Sequence, residues 1–162
     1  MSGFFWNVRG LNKSSKHSVI KKWIEENNFQ FGCLVETRVK ESKVSQLVGK
    51  LFKDWSLLTN YEHNRRGRIW VLWRKNVRLS PIYKSGQLLT CSVKLEDRQD
   101  EFFCSFVYAS NYVEERKVLW SELKDHYDSP IIIRFNPFGI IVLPASRPKG
   151  LDVRIIVLNL SI

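Results

Sequence analysis

The chain has 162 residues, of which 44% are hydrophobic and 13% aromatic, and it carries a net charge of +10. That composition excludes a disordered polar tail and suits one domain with a substantial core. A domain so basic is expected to meet phosphate, on nucleic acid or on an anionic membrane surface. No apolar run is long enough to span a bilayer, and residues 4–6 are too few for a signal peptide, so no membrane partner is expected. Cys33, Cys91 and Cys104 are odd in number, far apart and each set in an apolar run. They read as small core residues of a reduced, intracellular protein, and no Cys or His spacing points to zinc.

Taken in chain order, residues 3–8 are predicted to form a buried strand that ends at Asn7, with Gly10 and Asn12 as punctuation. Ser14 or Ser15 is placed to cap a helix to about residue 28, with Val19, Ile20, Trp23 and Ile24 on one face and Lys16, Lys21 and Lys22 opposite. Residues 29–36 return as an apolar strand ending in Glu36-Thr37-Arg38. A second helix over 41–52 places Val44, Leu47, Val48, Leu51 and Phe52 at helical spacing. This β-α-β-α order sets Asn7 and Glu36 at the C-terminal ends of two strands, the edge where open α/β sheets form sites.

The pattern then changes to short strand-like runs at 55–60, 68–73, 77–83, 88–95 and 101–109, separated by turn signals. They read as a β-meander inserted after the two βα units, with Leu89, Cys91, Val93 and Leu95 sharing a face. A helix over 114–126 is expected to turn Val118, Leu119 and Leu123 inward. Pro130 opens a further apolar run, 131–133, ending in Arg134-Phe135-Asn136. The stretch 137–162 has three prolines and two apolar runs, 139–143 and 153–160, with no helix signal.

Two polar residues stand out chemically. A carboxylate closing a buried strand is costly unless it serves something, so Glu36 is either a cation ligand or the ion-pair partner of Arg38. Asn7 either orients that carboxylate or a phosphate, or simply closes a turn. Arg65-Arg66-Gly67-Arg68 falls in a loop and Lys13, Lys16, Lys21 and Lys22 lie near the rim of the first strand. Such clusters bind phosphates without reading sequence.

Read in series, these stretches resemble the endonuclease/exonuclease/phosphatase superfamily, in particular the endonuclease domain of plant LINE-type (non-LTR) retrotransposons. Trp6-Asn7-Val8-Arg9-Gly10-Leu11 is similar to its opening motif and Leu34-Val35-Glu36-Thr37-Arg38 to its glutamate motif. Gly67-Arg68-Ile69-Trp70-Val71-Leu72-Trp73 looks like the strand after its glycine-rich turn. Phe106-Val107-Tyr108-Ala109-Ser110-Asn111 resembles its tyrosine motif, and Arg116, Leu119 and Trp120 match the helix that follows.

The resemblance covers residues 3 to about 136. It implies an incomplete two-sheet, four-layer α/β sandwich, with 1–136 a partial domain and 137–162 a divergent C-terminal tail. It also implies Mg²⁺ on Glu36, a scissile phosphate arranged by Asn7, Tyr108 and Asn136, and nucleic-acid contacts from Arg9, Arg65, Arg66, Arg68 and Asn111.

Two departures bear on activity. The family's Gly-Asp-Phe-Asn element is matched here by Ile133-Arg134-Phe135-Asn136, so arginine stands where an aspartate handles the water or leaving group. Arginine does not deprotonate in proteins and cannot act as that base. The family's terminal Asp-His pair has no counterpart either, since the three histidines are His17, His63 and His126.

The function implied is therefore a Mg²⁺-dependent DNA endonuclease or phosphodiesterase that has lost turnover. The alternatives are a basic remnant that binds nucleic acid without catalysis, or a fragment without function. The partner expected is DNA, held weakly and electrostatically, with no obligate protein partner, and the location expected is intracellular, and nuclear if the chain is functional. The second sheet is expected to be left with exposed edges, 139–143 and 153–160 being poor replacements for the family's later strands.

Overall fold

The computed structural model describes residues 3–97, 99, 101–128 and 140–144. The predicted run 131–133, Arg134, Asn136, the expected boundary at 136 and the run 153–160 lie outside them. The described elements are β1 (Gly3–Asn7), α1 (Ser15–Glu26), β2 (Phe31–Val35), a 3₁₀ turn at Glu41–Lys43, α2 (Val44–Leu51), β3 (Trp55–Thr59), β4 (Ile69–Arg74), β5 (Val77–Lys84), β6 (Leu88–Leu95), β7 (Glu101–Val107), α3 (Val113–Asp128) and β8 (Ile140–Pro144).

They form two four-stranded sheets, in the orders β1-β2-β4-β3 and β5-β6-β7-β8. β1 and β2 run parallel, as a βαβ crossover through α1 requires, with Asn7 opposite Val35. β4 is antiparallel to both β2 and β3. The second sheet is antiparallel throughout.

Alternation of side chains across each strand then sorts the core into layers. Phe5, Phe31, Cys33, Val35, Ile69 and Val71 on the first sheet meet Leu89, Cys91, Val93, Cys104 and Phe106 on the second. On the far side of the first sheet, Phe4, Trp6, Leu34, Trp70 and Leu72 pack under Ile20 and Ile24 of α1 and Val44 and Leu51 of α2. On the far side of the second sheet, Leu88 and Val107 pack under Leu119 and Leu123 of α3. The result is the expected four-layer arrangement of helices, sheet, sheet and helix. Each fully buried side chain of this kind contributes roughly 1.5–3 kcal/mol.

Gly32 makes one close approach possible. A Cβ there would lie 2.3 Å from the Phe4 ring and 2.5 Å from the Phe4 carbonyl oxygen. The three cysteines are free and buried as expected, and burial raises the thiol pKa of each.

Several expectations are corrected. The run of strands after α2 is not one meander: β3 and β4 complete the first sheet, and only β5 to β7 continue as a meander in the second. The reason is that β4 is buried on both faces, so it belongs inside the helix-covered sheet. The segment 140–144 pairs with β7, Phe106 opposite Ile140 and Phe102 opposite Pro144, so that edge of β7 is filled. Val19 and Val118 are 51% and 58% exposed, because α1 and α3 each bury a narrower stripe than the sequence pattern allows. Ser14 stands at the N-cap of α1 but its side chain makes no cap hydrogen bond.

Candidate phosphate-binding site

The site forms at the C-terminal edge of β1 and β2, where the chain leaves both strands abruptly. Arg9, Glu36 and Arg38 all have positive φ, at 46°, 55° and 55°. Non-glycine residues held in that region each cost about 1–3 kcal/mol and persist only where the surroundings enforce them. Backbone hydrogen bonds supply the enforcement. The amides of Gly10 and Leu11 donate to the carbonyls of Glu36 and Thr37, both at 2.7 Å, and the Glu36 amide donates to the Arg68 carbonyl at 3.0 Å. Thr37 is buried between the two strained residues, its hydroxyl donating to the Gly67 carbonyl. The strain turns the Glu36 side chain out of the strand and toward the second sheet.

There the Tyr108 hydroxyl donates to Glu36 Oε1, while Arg38 Nη2 lies 3.3 Å from Oε2. The Asn7 side chain stands near the same carboxylate and favours its charged form, and Asn7 Oδ1 accepts the Arg9 amide at 3.1 Å. Burial pushes the Glu36 carboxyl up. The Tyr108 hydrogen bond, the Asn7 side chain and the Arg38 guanidinium outweigh it and hold the acid below its ordinary value. Tyr108 moves the other way: burial first, then the hydrogen bond to Glu36 and its charge, push the phenol up to about 12. The Arg68 guanidinium lies over the Tyr108 ring, 5.5 Å from its centroid.

Two rigid loops complete the wall. The arginine loop hangs on Asn60, which is fully buried, donates to the Ser85 and Gly86 carbonyls and accepts the Ile69 amide. Asn64 accepts the Arg66 amide with its side chain and the Gly67 amide with its carbonyl. Gly67 has φ 48°, and a Cβ on it would meet the Tyr61 ring at 2.0 Å. That ring is fixed by its hydroxyl, which donates to the Val39 carbonyl at 2.7 Å. The segment after Tyr108 is clamped by Gln87 Oε1, which accepts the Ser110 amide, and by Arg116 Nη1, which donates to the Ser110 and Asn111 carbonyls.

The cavity enclosed has a volume of about 500 Å³ and is walled by Glu36, Arg38, Lys40, Arg65, Arg66, Arg68, Tyr108 and Asn111, with Val39 beside them. Five cations thus surround a single carboxylate. Glu36, Tyr108, Arg65, Arg66, Arg68 and Asn111 converge on it, and Asn7 reaches it through Glu36. Arg9 is exposed and does not line the cavity, and Asn136 lies outside the described residues. Sequence reasoning missed Lys40, and gave Arg38 no role beyond pairing with Glu36. Their signal was the basic residue at every second position after Glu36.

Among the described residues, Glu36 is the one carboxylate lining this cavity that a Mg²⁺ could use. That ion is ordinarily held by one or two carboxylates together with substrate phosphates and water. Here both Glu36 oxygens are engaged, one by a guanidinium. Among the described residues no cluster of three or more His, Cys, Asp or Glu could hold a metal.

No family model matches the sequence, and no curated protein matches it. Among solved structures, the catalytic domain of human Nocturnin with bound sulfate anion superposes with a TM-score of 0.49 at 14% identity. The superposition covers 81% of this chain and 62% of that one, so the chain spans less than two thirds of that domain's length.

Proposed function

We propose that this chain is a nucleic-acid-binding domain built on the frame of a retrotransposon-type endonuclease/exonuclease/phosphatase domain, which holds a backbone phosphate of DNA without cleaving it. The observation that carries this reading is the cavity itself, in which five cations converge on a carboxylate already satisfied by Tyr108 and Arg38, with Asn7 near it. Guanidinium groups are suited to phosphate oxygens because they offer planar, paired donors. The carboxylate fixes Arg38 and Tyr108 in place and leaves the remaining cations to an anion. Arg134, standing where the resembling motif has its aspartate, supports the absence of turnover.

The test is fluorescence anisotropy of a labelled DNA duplex across a salt series. Binding is expected to weaken with a slope of about 0.9 per phosphate contacted, and Arg65→Ala/Arg66→Ala is expected to lower both the affinity and the slope. Absence of binding at low salt would overturn the proposal.

A second reading, Mg²⁺-dependent nicking, is favoured by one observation, the contact of Tyr108 with Glu36 at the positions the resemblance assigns to phosphate and metal. Plasmid nicking in Mg²⁺ that Glu36→Ala abolishes would establish it in place of the first. The proposal expects none.

A further inference from the structure

A second cavity, of about 310 Å³, lies between α1 and α2. Its polar lining is Asn12, His17, Lys43, Gln46 and Lys50, and it contains no carboxylate. Lys43, Gln46, Leu47 and Lys50 are spaced by three, one and three residues, which puts them on one face of the helix. Val39 lines this cavity and the arginine-walled one alike, so the two adjoin across the segment 38–40. That segment is held by Asn12, whose side chain donates to the Arg38 carbonyl at 2.7 Å. His17 is fixed in the wall by Nε2, which donates to the Leu11 carbonyl at 2.7 Å.

The lysines here differ from those on the outer face of α1. Lys21 and Lys22 lie 4.0 Å and 3.7 Å from Glu25 and Glu26, one turn on. Lys43 and Lys50 have no ion-pair partner among the described residues. Lys43 also occupies the N-cap of α2 without a side-chain cap bond. It also closes the 3₁₀ turn that runs directly into α2 and has Glu41 in its first turn. Two lysines with no acidic partner among the described residues, beside a cavity with no acid, point to an anion as occupant.

We propose that this cleft binds a second phosphate of the same nucleic-acid strand that occupies the arginine-walled cavity, with Lys43 and Lys50 as its counter-charges and Gln46 as a neutral donor between them. The inference rests on the nucleic-acid reading above and deepens it. The two cavities form one track that a strand follows from the arginine loop, over the segment 38–40, onto α2.

The experiment compares labelled oligothymidylates of twelve and three nucleotides on the wild-type chain, on Lys43→Ala/Lys50→Ala and on the control Lys21→Ala/Lys22→Ala. The cleft variant is expected to lose about tenfold in affinity for the twelve-mer at low salt, with the salt slope falling by about 0.7, the value for one phosphate of a single strand. The three-mer, whose two phosphates are expected to seat on the five cations of the arginine-walled cavity, is expected to bind it as it binds the wild type. In the wild type the His17 ring resonances are expected to shift with the twelve-mer and not with the three-mer, a readout that needs no variant.

Wild-type binding of the twelve-mer that the cleft variant leaves unchanged, or that the control weakens equally, would overturn the second subsite and leave the proposed function standing. Failure of the wild type to bind either oligonucleotide would overturn both.

Discussion

Along β1 and β2, the residues facing the second sheet are Phe5, Phe31, Cys33 and Val35, almost wholly buried and joined by no polar side chain. At the C-terminal ends of the two strands, Asn7 closes β1 and Glu36 follows β2, with positive φ at Arg9, Glu36 and Arg38 and a carboxylate beside an arginine. The interior on this face is built from apolar side chains packed against one another. The rim is built from groups that each cost something locally and are held there by the ladder beneath them. A strained, charged rim is held in place by the dry, two-sided core beneath it.

Breaking the interior should therefore cost most. Gly32→Ala forces a methyl to within 2.3 Å of the Phe4 ring and 2.5 Å of a backbone oxygen, which cannot swing aside. A loss of about 3 kcal/mol or more is expected, read as a fall in the urea midpoint. A variant as stable as wild type would mean that β1 and β2 are not packed as described.

Gly67→Ala strikes the rim's support instead. It sets a Cβ at positive φ and 2.0 Å from the Tyr61 ring, so the Tyr61 bond to Val39 is expected to break. Stability should fall by about 2 kcal/mol, combining strain with a lost hydrogen bond. DNA affinity should fall as well, since the arginines hang on that loop. Affinity unchanged in a correctly folded variant would separate the loop from the site.

Tyr108→Phe has a smaller effect and a distinctive pH signature. The Tyr108 phenol is pushed up to about 12 from 10.0, so its contribution is complete below pH 10 and is lost as pH rises toward 12. The Glu36 carboxyl is held below 4.5, so its contribution is present above that pH and is lost as pH falls through the folded value. Removing the hydroxyl should cost about 0.5–1.5 kcal/mol at neutral pH. It should also flatten the alkaline limb and move the acid limb upward, as followed by thermal unfolding across pH. Identical pH profiles for the two proteins would rule out the Tyr108–Glu36 bond.

The smallest effect carries the opposite sign. Gly49 lies in α2, and a methyl added to it would meet nothing within 4 Å, so Gly49→Ala should stabilise by about 0.5–1 kcal/mol. It should leave DNA binding unchanged, and a higher Tm with equal affinity is the result that fits.

Much of this was legible in the residues. The parallel βαβ start follows from apolar runs flanking an amphipathic helix, and the rim positions of Asn7 and Glu36 follow from where those runs stop. The inward face of β6 was visible in its alternation, because one side of that strand meets the first sheet and the other a helix or polar neighbours. β3 and β4 were misassigned to a single meander because β4, buried on both faces over its first four residues, shows no alternation, and partner choice then depends on the sheet it joins. Val19 and Val118 misled for a related reason: periodicity marks a face, and only the neighbouring layer determines how wide a stripe is covered.

What the sequence determined by itself is the order of elements, the reduced state expected of three isolated core thiols, and the placing of an amide and a carboxylate at adjacent strand ends, all of which are local or periodic properties. Only the tertiary structure decided that Tyr108, 72 residues beyond Glu36, donates to it, that Arg38 and Lys40 wall the same cavity as the arginine loop, and that a second basic cleft adjoins it. Those relations depend on how two sheets and their loops stack, and stacking is fixed by the burial of whole faces, which no stretch of chain specifies alone.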